Sequence, residues 1–236
     1  LQFNSEVKKF LDKGYKEVEK HPNDYTTDEL NEIYGTVTTN QYGVIKPMLA
    51  KQSEKVTNKK IFEKEWYGSR KINGVRCLMY WDGEQILTAS RGGEHYNEAT
   101  THLREHPVLI SIFKEYPNLI LDGELYKHGK SLQQISGAAR LEKNAYDCYW
   151  LEFWVYDCIH LDRMDMTARD RIIWLKKHLK DICGFEPNKI WKEGELQIQM
   201  VPHVVVTSWK CMKVVHDNYV LEGFEGLVIR DPVKPY

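Results

Sequence analysis

The chain has 236 residues, 42% of them hydrophobic and 28% charged, the balance of an ordinary globular protein with one large domain and an appendage, or two modest domains. Its 33 Lys and Arg against 34 Asp and Glu leave a formal net charge of -1, which excludes a polybasic-tail binder but not a local basic groove. No apolar run approaches the roughly 18 residues of a membrane span, and the polar start from Leu1 to Phe10 is unlike a signal peptide, so no membrane association is expected.

Val7, Phe10, Leu11 and Val18 form an apolar stripe that predicts a helix from about Ser5 to Lys20. Lys9, Lys13, Lys16 and Lys20 line another face of it, either solvated or tracking phosphates. His21-Pro22-Asn23-Asp24 ends this helix, and Thr27-Asp28-Glu29-Leu30 opens a short second one. Gly35 to Gly43 reads as a linker, which predicts a 1–43 helical segment and a 44–236 main domain.

The main domain starts with strand-like stretches over Trp66 to Trp81 and Gln85 to Ser90, joined by the turn signal Asp82-Gly83. Asn97 to Tyr116 reads as helix interrupted at Pro107, and Asn118 to Tyr126 as strand. Trp150 to His160 is a buried-looking strand that carries Trp150, Phe153 and Trp154. Thr167 caps a helix running to about Lys180, with Asp170 where a capping box usually has Glu or Gln. Pro202 to Thr207 is β-branched, Trp209 to Leu221 reads as helix, and Gly226 to Arg230 as a last strand. Without a regular βαβ alternation, the fold class is α+β. Five cysteines with no Cys-x-x-Cys spacing argue against a disulfide framework or a zinc site and for a reduced, cytoplasmic setting.

Chemistry concentrates at a few places. Lys71-Ile72-Asn73-Gly74-Val75-Arg76 lies between two strand-like stretches, and alone it is a charged turn. Ser90-Arg91-Gly92-Gly93 follows a strand; its glycines permit close backbone approach and its arginine suits a phosphate. Asp122-Gly123-Glu124 and Glu222-Gly223-Phe224-Glu225-Gly226 put carboxylates beside glycine at strand ends, the setting for a divalent metal shared with substrate phosphates. His102 and His106 are spaced i, i+4, but Pro107 and the lack of a third ligand favour a plain surface helix over a metal pair.

Taken in order, these segments resemble the motifs of the covalent nucleotidyltransferases, and among them the ATP-dependent DNA ligases. The family's Lys-x-Asp-Gly-x-Arg nucleophile motif is matched by Lys71 to Arg76, with Asn73 in place of Asp. Lys46-Pro47-Met48-Leu49-Ala50 is similar to the DNA ligase entry segment, Ser90-Arg91 to the next motif, and Asp122 to Leu125 to the acidic strand. Val155-Tyr156-Asp157 resembles the adenine-pocket motif and Glu225 to Arg230 the Glu-Gly-x-x-x-Arg motif. Lys71 to Glu124 spans 53 positions and Glu124 to Glu225 spans 101, in agreement with the family.

The resemblance implies an ATP-grasp-like adenylation domain of antiparallel sheets flanked by helices. The family's lysine-rich strand and OB-fold have no counterpart before Tyr236, so the sequence reads as the adenylation portion. The implied cofactors are ATP and Mg²⁺, and the implied partner is nicked duplex DNA, with a monomer as the default and a cytoplasmic, nucleoid or viral replication context. The implied roles are nucleophile for Lys71, and ATP or AMP binding for Ser69, Arg70, Arg76, Glu124, Tyr156 and Arg230. Ser90 and Arg91 are implied to bind phosphate or DNA, and Glu124 and Glu225 the metal. The alternatives are an RNA ligase, an mRNA-capping guanylyltransferase, or a nick-binding module without chemistry, to which the loss of charge at Asn73 would contribute.

Overall fold

The computed structural model describes residues 45–50, 61–141, 145–192 and 194–236. The two N-terminal helices, the Lys9/Lys13/Lys16/Lys20 face and the boundary near Gly43 lie outside them. By internal contacts the chain divides into units 1–46 and 47–236, and all that follows concerns the second.

Two sheets form this unit. The smaller has the order β7-β1-β8, with β1 Trp66–Lys71, β7 Val204–Val206 and β8 Gly226–Arg230, all antiparallel. The larger has the order β3-β2-β4-β5-β6, with β2 Val75–Trp81, β3 Ile86–Ala89, β4 Leu119–Tyr126, β5 Glu152–His160 and β6 Ile198–Met200. Only β5 and β6 run parallel, so the expected antiparallel α+β architecture holds with one parallel pair at an edge. β6 lies in the alternating run Leu196-Gln197-Ile198-Gln199-Met200, which the sequence reading passed over; its three residues pair with Phe153, Trp154 and Val155.

Most helices end where local chemistry dictates. The expected Asn97–Tyr116 helix is split into α1 Thr101–Arg104 and α2 Pro107–Glu115, because Pro107 lacks the N–H that would continue α1 and opens α2 instead. α3 Leu132–Ala139 was not expected from its composition, yet Ser131 and Gln134 close a full capping box at its start. In α4 Ala168–Leu179, Asp170 completes the box with Thr167 despite being one methylene shorter than Glu. α5 Trp209–Leu221 has the expected bounds and is capped by Ser208.

The core lies between the large sheet and the helices. Cys77, Met79, Leu121, Leu125, Phe153 and Val155 meet Leu109 and Phe113 of α2, Ile135 of α3, and Leu175 and Leu179 of α4 in one buried cluster. In β4 the odd positions Leu119, Leu121 and Leu125 enter this core, so the period of two turns Asp122 and Glu124 to the opposite face.

β5 changes phase. Its register against β4 pairs Asp157 with Asp122 but Val155 with Gly123, leaving Tyr156 as an extra residue. Such a bulge re-aims side chains. Phe153 and Val155 face the core before it and Cys158 after it, while the adjacent Tyr156 and Asp157 both reach the cleft described below. Gly123 permits the irregularity, since a Cβ there would lie 2.4 Å from the Trp154 carbonyl and 2.7 Å from the Phe153 ring.

Gly123→Ala therefore forces backbone apart at the bulge. A loss of about 1–3 kcal/mol, the usual range for overpacking, is expected in urea denaturation, with the midpoint falling and the slope unchanged.

Candidate active site

β1 belongs to the small sheet and β2 to the large one, so the chain crosses between sheets over Ile72, Asn73 and Gly74. Gly74 fits this crossing because a Cβ would stand 2.5 Å from the Leu125 carbonyl. Between the sheets is a cleft of about 410 Å³. β1 and β8 supply Ser69, Arg70, Lys71 and Arg230; β2, β4 and β5 supply Arg76, Asp122, Glu124, Tyr156 and Asp157. Seven implied site residues, from four separated motifs, thus share one cavity.

Lys71 is the last residue of β1, with Gly226 as its register partner. Its amine is half exposed and 3.0 Å from Glu225 Oε2. Beyond Gly68, β1 pairs only with β8, so its other backbone edge is open at Ser69 to Lys71 among the described residues. Ser69 is buried, whereas the Arg70 side chain turns to Glu222.

Arg76 is bidentate to Asp122, through Nε to Oδ1 at 2.6 Å and Nη2 to Oδ2 at 2.5 Å. It also donates to the Met48 carbonyl at 3.3 Å, and its guanidinium sits 5.1 Å from the centroid of the Tyr156 ring. Burial alone would lower the Arg76 pKa, but Asp122 and the other groups around it raise it. Tyr236 closes the far side: its hydroxyl donates to Asp122 Oδ2 at 2.7 Å and accepts from the Met48 N–H at 3.3 Å.

Asp157, paired in register with Asp122, accepts from Arg171 Nε at 2.8 Å and Nη2 at 3.1 Å, from the Cys158 N–H at 2.9 Å, and from Arg230. Burial pushes its pKa up, yet Arg230 and Arg171 outweigh burial and hold it below the usual carboxylate range. Glu124 lacks such a match. Burial drives its pKa to about 8; Arg76 and the Tyr156 hydroxyl, 3.3 Å from Oε1, oppose this, while Asp122 and Glu225 add to it. Negative charge is under-compensated there, and a cation would relieve it. Among the described residues no group of three or more His, Cys, Asp or Glu converges on one point. Two carboxylates completed by phosphate oxygens are the donor set Mg²⁺ prefers, so Glu124 and Glu225 fit that ion.

Ser90 and Arg91 lie outside the cleft, beyond the edge strand β3. The Ser90 hydroxyl accepts from the Gly92 and Glu94 N–H groups at 3.1 and 3.0 Å and shapes the turn that leaves Arg91 exposed. His102 and His106 contact different carbonyls, of Leu151 at 2.9 Å and Gly194 at 3.2 Å, and form no metal pair with each other.

Sequence reading missed Asp122 and Asp157 as individual site residues, and Arg171, His203 and Tyr236 altogether. Arg171 sits among ordinary helix residues; only its burial, matched to that of Asp157, marks it. His203 is half-buried near Arg230 and Asp157, its pKa pushed down to about 3 by burial first and Arg230 second.

The chain matches the family model described as ATP dependent DNA ligase domain over residues 47–236. It is 29% identical over 200 residues to the DNA ligase of African swine fever virus (isolate Warthog/Namibia/Wart80/1980), covering 82% of this chain and 43% of that protein. It therefore spans less than half the length of that relative. It superposes on the bacteriophage T7 ATP-dependent DNA ligase in complex with ATP with a TM-score of 0.56, at 16% identity, over 80% of this chain and 63% of that one. An archaeal ATP-dependent RNA ligase gives a TM-score of 0.55 at 16% identity, over 80% and 46% of the two chains. These structural likenesses concern the fold.

Two outcomes follow from the charges. Asp157→Asn leaves Arg171 buried without its counter-charge, and a destabilisation of about 3–5 kcal/mol is expected in urea. The folded protein holds the Glu124 proton up to about pH 8, against an ordinary value of 4.5. Across that window the folded state binds more protons than the unfolded chain, so stability contributed at this site falls as pH rises. Glu124→Gln is expected to flatten this decline in melting temperature.

Proposed function

This chain belongs to the ATP-dependent DNA ligase domain family over residues 47–236, and from that premise we propose that it carries the self-adenylation chemistry of such a ligase, with Lys71 as nucleophile. The observation that carries the reading is the lysine amine at the mouth of a two-sheet cleft that also holds Arg76, Glu124, Tyr156 and Arg230.

ATP binds in the cleft. The open backbone edge of β1 at Ser69 and Arg70 reads the base, and Tyr156 stacks on it, held by its hydroxyl at Glu124 and by Arg76 over one face. Glu124 serves the ribose hydroxyls, and Arg76 and Arg230, both anchored on buried aspartates, direct positive charge at the nucleotide. The Lys71 amine, half exposed, gives up its proton to solvent water and leaves Glu225. It attacks the α-phosphorus; a P–N bond forms as the P–O bond to pyrophosphate breaks, leaving lysyl-AMP. Lysine is a weak nucleophile while protonated, and the reaction is served mainly by alignment and by cationic charge near the phosphate oxygens. Glu124 and Glu225 would hold Mg²⁺, which when bound neutralises phosphate charge. Asn73 is exposed on the crossing and keeps its size without the charge of Asp.

The full reaction is proposed as transfer of AMP to the 5′-phosphate of a nick, followed by sealing through the 3′-hydroxyl, with nicked duplex DNA as substrate and the protein acting as a monomer. Ser90 and Arg91 are proposed to meet DNA phosphates from the exposed turn. DNA is favoured over RNA by the family match, the fold being shared with an RNA ligase. The 1–43 segment is proposed as a separate helical element.

Incubation with ATP and Mg²⁺ followed by intact mass measurement tests the reading. One AMP adduct is expected on the parent and none on Lys71→Ala. No adduct on the parent sinks the proposal for this chain. Nicks of DNA and of RNA offered to the adenylated protein then decide the substrate.

A further inference from the structure

Arg70 precedes Lys71 at the end of β1, and strand alternation turns their side chains to opposite faces. Both are held by one turn, Glu222 to Gly226, between α5 and β8. Glu225 pairs with the Lys71 amine at 3.0 Å, and the Glu225 N–H donates to the Lys71 carbonyl at 3.1 Å. On the other face Glu222 Oε2 accepts from Arg70 Nε at 2.7 Å and Nη2 at 2.6 Å. The Arg70 guanidinium also lies against three rings, 4.3 Å from the centroid of Tyr219, 4.5 Å from Phe185 and 5.5 Å from Phe224. A planar guanidinium satisfies such a box and a carboxylate together; an ammonium does not.

We propose that Arg70 and Glu222 are positioning residues for the nucleophile, fixing the end of β1 to the α5–β8 turn and so setting where the Lys71 amine stands. They act on the reaction only through Lys71, and the inference rests on the reading of Lys71 as nucleophile. Two magnitudes separate this from a structural role. The Arg70 side chain is only 14% exposed among its rings, so its removal carries a structural cost of its own, but the Glu222 carboxylate is 43% exposed and its charge contributes little to stability, so Glu222→Gln is the variant that separates the two roles. A nucleophile displaced by about 1 Å, in contrast, loses up to roughly 100-fold in rate.

The test measures single-turnover formation of lysyl-AMP against ATP concentration, in the full chain and in Arg70→Ala, Arg70→Lys, Glu222→Gln and the Arg70→Ala/Glu222→Gln double variant. Each variant's melting temperature is recorded beside its rate. The maximal rate is expected to fall roughly 10- to 100-fold in Arg70→Ala, measured well below its melting temperature, with half-saturating ATP unchanged; melting falls in Arg70→Ala, which loses the ring contacts, and stays near the parent in Glu222→Gln. Glu222→Gln falls less, and the double variant is no slower than Arg70→Ala. Arg70→Lys recovers only part of the rate, because it restores charge without the planar stack. Unchanged maximal rates overturn the proposal, and so does a weaker half-saturation at full rate, which would make Arg70 a nucleotide contact. If the parent forms no adduct, the nucleophile reading fails separately. NMR of ¹³C-dimethylated lysine, with the Lys71 signal assigned by its loss in Lys71→Ala, then decides the positioning claim: a Lys71 signal unmoved by Glu222→Gln overturns it, and a shifted or broadened one supports it.

Discussion

Two buried carboxylates, directly paired across neighbouring strands, constrain everything around them. Asp122 and Asp157 are each about 1% exposed and stand in register on β4 and β5. Unpaired, such carboxylates would be driven to take up protons or would destabilise the fold. They are balanced by Arg76 from β2, Arg171 from α4 and Arg230 from β8. Three elements distant in sequence are thereby drawn to one place, and one of them belongs to the other sheet. The cleft between the sheets therefore has a lining of mixed charge, in which Arg76, Arg171 and Arg230 are held in place by Asp122 and Asp157.

The same arrangement fixes the direction of two of the cleft's arginines. Arg76 and Arg230 are oriented from behind by fixed carboxylates, as preorganised cations must be if they are not to spend binding energy on their own ordering. Residues 232–236 add to this. The carbonyls of Pro232 and Lys234 accept the first two N–H groups of α4, from Arg169 and Ala168, and Tyr236 lays its ring 5.3 Å from the Arg171 guanidinium. Glu124 is the exception, a carboxylate facing the cleft without a cation of its own, with a pKa near 8. It is the position where an added cation changes most.

Local signals were legible in proportion to how local their cause is. Thr167 and Asp170, Pro107, Asp82-Gly83 and the bounds of α5 follow from capping and turn chemistry within a few residues. The strand β6 and the helix α3 were missed, the first although Leu196 to Met200 alternates apolar and polar, a run short enough to pass for a loop until it pairs with β5, the second because its capping box sits in a weakly apolar stretch. Motif order also singled out Lys71, Arg76, Glu124, Tyr156, Glu225 and Arg230, and the fold brings five of these to the cleft wall with Glu225 paired to Lys71.

By itself, then, the sequence determined the α+β class, the order of most elements and which short motifs would meet in one cleft, because these depend on periodicity, caps and motif order. Tertiary structure alone decided that Tyr156 and Asp157 share a face, since that needs a bulge against β4. It decided that Arg171, anonymous in its helix, balances Asp157, and that Arg70 turns away from its neighbour into an aromatic box. Those outcomes rest on partners tens of residues away, and a buried charge or a strand register is defined only once both partners are in place.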